Sequence, residues 1–355
     1  MKPDRLIKFL VGLLPLILTG CAEEPDYKDT LFGNFDALAE IMDTRYCFFK
    51  EKGVDWNAVT MAYRDKIKEL PKNSAGEISL LDYFDLCASM LDELQDGHVN
   101  LSSYFTSSYY RKWWSDYPQD FDLRTLQEYY LKFNYYQTSG ISYTMFGLEE
   151  DIKVGYMYYP SFSSGIGALN LDYILTILSP ADALIIDIRN NGGGLLTNVE
   201  TLVGRFIDKR TCGGYIKHKT GPGHEDFSEP YEIVYNPAPS YRVSWENKKP
   251  VYILTNRSCF SAANDFVSVM KILPNVKIIG ARTGGGGGLP FTSELPNGWS
   301  VRFSASPIYS PGGEITEFGI DPSPGCEVHC TAEEFAAGSD AILDFALSMA
   351  RRSAG

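Results

Sequence analysis

Histidine is scarce, with four in 355 residues, so any imidazole chemistry must fall on a handful of positions. Basic residues are outnumbered, 32 Lys plus Arg against 45 Asp plus Glu, for a formal net charge of −13. That balance disfavours binding to nucleic acid or to an anionic lipid surface through a basic patch. The apolar stretch Phe9–Thr19 is too short to span a bilayer. Heptad runs and internal repeats are missing, which excludes a coiled coil or a solenoid. No lysine follows Lys277. What is present is ordinary for a folded chain, 44% hydrophobic and 22% charged. The length allows one substantial domain and a smaller one.

The N-terminus stands apart. Lys2, Arg5 and Lys8 precede the apolar stretch, and Leu18, Thr19, Gly20 and Cys21 close it. This resembles a bacterial lipobox, which implies removal of residues 1–20, acylation of Cys21 and a lipid anchor instead of a span. Loss of that segment, with three positive charges and one negative, takes the net charge from −13 to −15. No aspartate directly follows Cys21, so the outer membrane of a Gram-negative bacterium is the expected address. Six further cysteines remain. In an exported chain Cys326 and Cys330 are close enough to pair, with buried free thiols the alternative.

Residues 21–101 read as a small helical subdomain. Leu31, Phe35, Leu38 and Met42, then Leu80, Phe84, Cys87, Met90 and Leu94, recur at helical spacing. Residues 102–150 are aromatic without a clean period and read as a packed connector. From 151 to 355 strands and helices alternate: strands at 154–159, 183–188, 251–255 and 276–279, helices at 169–178 and 262–273, and a closing helix from Ala332 to Arg351. Repeated βα units predict an α/β core with functional loops at the carboxyl ends of its strands.

Three of those loops are unusual. Asp187 to Gly194 ends in three glycines whose backbone amides could hold a developing negative oxygen. It lacks both a Gly-Lys-Ser/Thr continuation and a Gly-x-Gly-x-x-Gly order, which argues against a nucleotide. Asn256 to Asn264 places Ser261 where a helix begins, a position that suits either a plain N-cap or a nucleophile. Gly284 to Gly288 are five consecutive glycines, costly to order unless they lie close to a ligand backbone or form a lid.

Together the blocks Ala183–Gly194, Leu254–Asn256 with Ser261–Ala263, Ile279–Gly280 with Thr283–Gly284, and Glu317–Pro322 resemble the C-terminal processing, or tail-specific, serine peptidases. The resemblance runs from about Leu94 to the C-terminus. It implies a crotonase-like α/β core, preceded here by the small helical subdomain, acting on polypeptides. One branch of that family activates its serine with a lysine whose register falls here on Gly286. The other branch, similar to the tricorn core and the photoreceptor retinoid-binding protein, uses a histidine in an Asp-x-His block and a glutamate before Gly-x-x-Pro. Asp96-Gly97-His98 and Glu317-Phe318-Gly319-Ile320-Asp321-Pro322 fit that second pattern.

The resemblance therefore implies Ser261 as nucleophile, His98 as general base and Glu317 as the group that orients it, with Glu314 as a nearby substitute. Gly192 or Gly193 and Ala262 would supply the oxyanion amides. A serine that precedes the histidine in the tricorn pattern is here Gly97. Cys259 is a weaker nucleophile candidate, and His218 and His224, without acidic or cysteine partners at ligand spacing, read as loop residues and not as metal ligands. Asp187 and Arg189 are expected to brace the glycine turn. No cofactor is expected. Residues 102–150 are too few for a complete PDZ domain, so a substrate C-terminus would be recognised otherwise, with the aromatic connector as the candidate. The rival expectation is an inactive scaffold that binds a peptide or an apolar ligand.

Overall fold

The computed structural model describes residues 27–148, 152–245 and 249–354. The expected lipidation site Cys21 lies outside the described residues. Eleven strands are present among them: β1 (Asn100–Ser102), β2 (Tyr136–Thr138), β3 (Ile141–Gly147), β4 (Lys153–Tyr158), β5 (Ala183–Asp187), β6 (Thr211–Ile216), β7 (Tyr231–Tyr235), β8 (Val251–Thr255), β9 (Val276–Gly280), β10 (Gly288–Glu294) and β11 (Ser300–Tyr309).

Six of them form one sheet in the order β2-β3-β4-β5-β8-β9. From β4 to β9 the strands run parallel, and β2 and β3 add antiparallel at one edge. Every residue of β5 and β8 is buried, as continuous apolar runs demand when both faces of a parallel sheet are covered. One face is covered by the helices Ala168–Leu178, Leu196–Val203 and Ala262–Met270. The helix Ala341–Ala354 covers the other. The mixed α/β class is thus as expected, and the sheet extends back beyond residue 151: the aromatic segment supplies its two edge strands.

The closing helix differs from expectation. It is two helices, Ala332–Ala336 and Ala341–Ala354, because Gly338 takes φ +81° and Asp340 turns inward to bind Arg189. Cys326 and Cys330 do not pair. The six described cysteines are all free thiols, and Cys330 Sγ instead lies 3.6 Å from an Asp340 oxygen.

The N-terminal helices Leu31–Arg45, Trp56–Glu69 and Leu80–Asp92 each start on a capping side chain, Thr30, Asp55 and Ser79. Their apolar faces meet a second sheet, β1-β11-β6-β7 with β10 on β11. Phe35, Leu38, Met42, Phe84, Met90 and Leu94 share one core with Trp299, Val301 and Phe303. The N-terminal helices therefore fold onto β11 and the turn that precedes it, and residues 96–98 emerge from that shared core.

Candidate active site

Ser261 sits between β8 and the Ala262–Met270 helix with φ +55° and ψ −123°. A non-glycine residue at positive φ is strained and persists only where its surroundings impose it. Here the backbone is clamped on both sides: Phe260 N–H donates to Asn191 O at 3.1 Å and Ser261 N–H to Gly285 O at 2.8 Å. The Ser261 side chain accepts no capping bond from the helix it precedes, so its hydroxyl is not consumed by the N-cap role. It faces a cavity of about 440 Å³ that His98, Gly192, Asp265, Gly286 and Arg302 also line.

His98 follows a turn in which its own amide donates to Asp96 Oδ1 at 2.8 Å. The ring is buried, lies 4.7 Å from the Phe260 ring centroid, and leaves Nδ1 without a partner. Burial lowers its pKa to about 4, with Asp96 opposing and Arg302 and Lys52 reinforcing the shift, so the imidazole is neutral over the physiological range. Gly97 cannot be a serine without rearrangement. A Cβ there would stand 2.5 Å from Trp113 Nε1 and 2.9 Å from the Phe260 ring.

Glu317 is buried, but it engages Lys52 Nζ at 2.8 Å and not His98. Its Oε2 has no partner. Burial and the nearby Asp96 carboxylate raise its pKa to about 8, against the pull of Lys52. Asp96 is held ionised, against its burial, by Lys52 and the His98 amide, and it accepts from Tyr46 Oη at 3.0 Å and Ser304 Oγ at 2.9 Å. Among the described residues no hydrogen bond joins any two of the Ser261, His98 and Glu317 side chains. Glu314 lies on an exposed turn and accepts from Ser310.

The glycine turn after β5 is built by side chains. Arg189, fully buried, binds Asp187 through Nε and Nη2 and Asp340 through both Nη atoms. Asn191 Oδ1 accepts from Gly193 N–H at 3.0 Å, so that amide is occupied. Gly193, at φ +97°, passes so close to Ser261 that a Cβ would lie 2.9 Å from the serine Cβ and 2.6 Å from Phe260 O. Gly192 lines the cavity, and the Ala262 amide opens the helix beside it. Of the amides expected for an oxyanion, those of Gly192 and Ala262 donate to no backbone carbonyl among the described residues.

Gly284–Gly288 are buried. Gly284 N–H donates to Cys259 O at 2.7 Å and Gly286 N–H to Glu317 O at 3.2 Å. A Cβ on Gly286, at φ +77°, would strike the Phe260 ring at 2.5 Å. The glycines are there for close approach, not as a lid, and no lysine could occupy position 286. Cys259 is fully buried, its thiol pushed up to about 12 and donating to Ile188 O at 3.0 Å. His218 contacts Ser306 at 3.0 Å and His224 contacts Asp43 at 2.8 Å.

Sequence reasoning missed Lys52, Trp113, Asn191, Asn256 and Asp265. Asn256 Oδ1 accepts from Asn190 N–H at 2.9 Å and its Nδ2 donates to Asn190 Oδ1 at 2.7 Å. Its place at the carboxyl end of β8, opposite the β5 turn, was the available signal. Lys52 carried none, because its role depends on long-range packing.

Residues 153–323 match the model of peptidase family S41, and residues 31–75 match that of the tricorn protease C1 domain. The carboxy-terminal processing protease CtpA of Bacillus subtilis is 26% identical over 187 residues, 52% of this chain and 37% of that protein. The chain thus spans little more than a third of the length of that curated relative. A solved structure of a candidate peptidase from Parabacteroides merdae is 43% identical, with a TM-score of 0.81 over 91% of this chain and 97% of that one. Mature CPAF complexed with lactacystin shares the fold at 13% identity, with a TM-score of 0.66 over 90% of this chain and 97% of that one.

Proposed function

The chain belongs to peptidase family S41, and from that premise we propose that it is a serine endopeptidase working through an acyl-enzyme on a crotonase-like core. The observation that carries this reading is the strained, uncapped Ser261 facing one cavity with the neutral imidazole of His98. In the proposed cycle the His98 imidazole accepts the Ser261 proton as Oγ attacks the scissile carbonyl carbon. The carbonyl oxygen takes the negative charge and the amides of Gly192 and Ala262 hold it. Collapse leaves an ester on Ser261, and the amine departs with the proton from the imidazolium. Water, activated by the same imidazole, then releases the acid.

Glu317 is assigned the orienting role. Its unpartnered Oε2 and the unpartnered His98 Nδ1 are both buried, and catalytic hydrogen bonds often tighten only with substrate in place. Asp96 is the rival, since it already binds the His98 amide. The substrate class is polypeptide, entering by its C-terminus, and the chain is proposed to act as a lipoprotein anchored through Cys21 at the outer membrane. The test is hydrolysis of an unfolded polypeptide. Ser261→Ala is expected to lower turnover by about 10⁶-fold in a protein whose circular dichroism is unchanged. Retained activity would refute the assignment.

A further inference from the structure

Asp265 lies one helical turn beyond Ser261, its amide donating to Ser261 O at 3.0 Å, and its side chain lines the same cavity as the serine. The residue is partly buried at the cavity wall. Oδ1 is shut off from solvent and finds no hydrogen-bond partner, and no cation pairs with it among the described residues. Burial alone lifts its pKa to about 7. A buried carboxyl oxygen left unsatisfied is costly and asks for an explanation.

The cavity's charges are segregated. Arg302 lines it too, but its charge bears on His98 and Asp96, and burial is what raises Asp265. Leu196, Leu289, Pro290 and Ile308 supply apolar wall, which suits an aliphatic stem ending in a charge. Four residues of helix give roughly 6 Å of rise from the nucleophile to the acid, about the reach of a long basic side chain. The protein's net charge of −13 would also draw cationic peptides towards it.

We propose that Asp265 is the floor of a specificity subsite that accepts a lysine or arginine side chain of the residue whose carbonyl Ser261 attacks. This rests on the serine peptidase reading given above. Binding such a cation completes the hydrogen bonding of Asp265 and supplies the counter-charge it lacks in the free protein.

The test uses two peptidyl diphenyl phosphonates, identical except for lysine or norleucine at the reacting residue, with the rate of adduct formation on Ser261 followed by intact-protein mass spectrometry. The lysine probe should react at least about 10-fold faster with the wild-type protein, and Asp265→Asn should bring the ratio close to one. A wild-type ratio near one, or a ratio that survives Asp265→Asn, would overturn the subsite. The wild-type ratio decides even if the variant fails to fold. A small neutral fluorophosphonate separates the two readings. If it labels Ser261 and the lysine preference is absent, the subsite alone fails. If it leaves folded protein unlabelled, the peptidase reading fails and the subsite with it.

Discussion

At the scale of single residues, the proposed chemistry depends on a histidine that burial keeps unprotonated. With its pKa lowered to about 4 from the ordinary 6.5, His98 can accept a proton from Ser261 at far lower pH than a free imidazole could. The His98 limb of kcat/KM is therefore expected near pH 4, with a further rise near pH 8 where Glu317 ionises and can accept from the ring, and a limb near 6.5 would show that the ring is solvated. The same shift acts on stability. On acidification the unfolded chain takes up the His98 proton first, so stability contributed by the neutral ring is present above pH 6.5 and is lost as pH falls towards 4. Glu317 works in the opposite sense: its raised pKa of about 8 favours the fold at low pH, and that contribution is lost as pH rises through 8. A urea-melt series across pH 4–9 reads both slopes. Glu317→Gln should cost about 10²-fold or more in kcat if it orients His98, whereas a larger loss in Asp96→Asn with Glu317→Gln near normal would transfer the role to Asp96.

At the scale of elements, the strand-turn-helix junctions after β5 and β8 are held by buried polar side chains, and the glycines make room for them. Gly286→Ala adds a methyl group against Phe260 at a positive φ, and it should cost about 1–3 kcal/mol, read as a lower denaturation midpoint. Phe260 in turn carries the His98 ring, so the same variant should lose activity beyond its loss of stability. These junctions were the most legible part of the chain, because fully buried parallel strands write themselves as apolar runs and strand-to-helix turns as glycine and asparagine clusters. The five glycines were legible as a special segment but not as a buried one, since composition cannot tell close packing from flexibility. The break at Gly338 was missed because a helical pattern on both sides hides a C-cap when the inward pull comes from Arg189, far away in sequence.

At the scale of the whole molecule, the N-terminal segment and the α/β part build the candidate site together. His98 and Lys52 come from the segments that link the N-terminal helices to one another and to β1, Ser261, Arg302 and Glu317 come from the remainder, and the interface between them is a continuous apolar core. A chain beginning at residue 100 should lack a cooperative thermal transition, as Trp299, Val301 and Phe303 would lose their cover; a sharp melt would show that the α/β part folds alone. That partnership was invisible to periodicity, which registers a helix's apolar stripe but not what covers it, and so Lys52 went unnoticed as the partner of Glu317. The most direct check on the account is fluorophosphonate labelling of the folded protein followed by peptide mapping, with His98→Ala alongside. A single adduct on Ser261 that disappears in His98→Ala is the predicted result. An unlabelled Ser261, or labelling indifferent to the loss of His98, would contradict it.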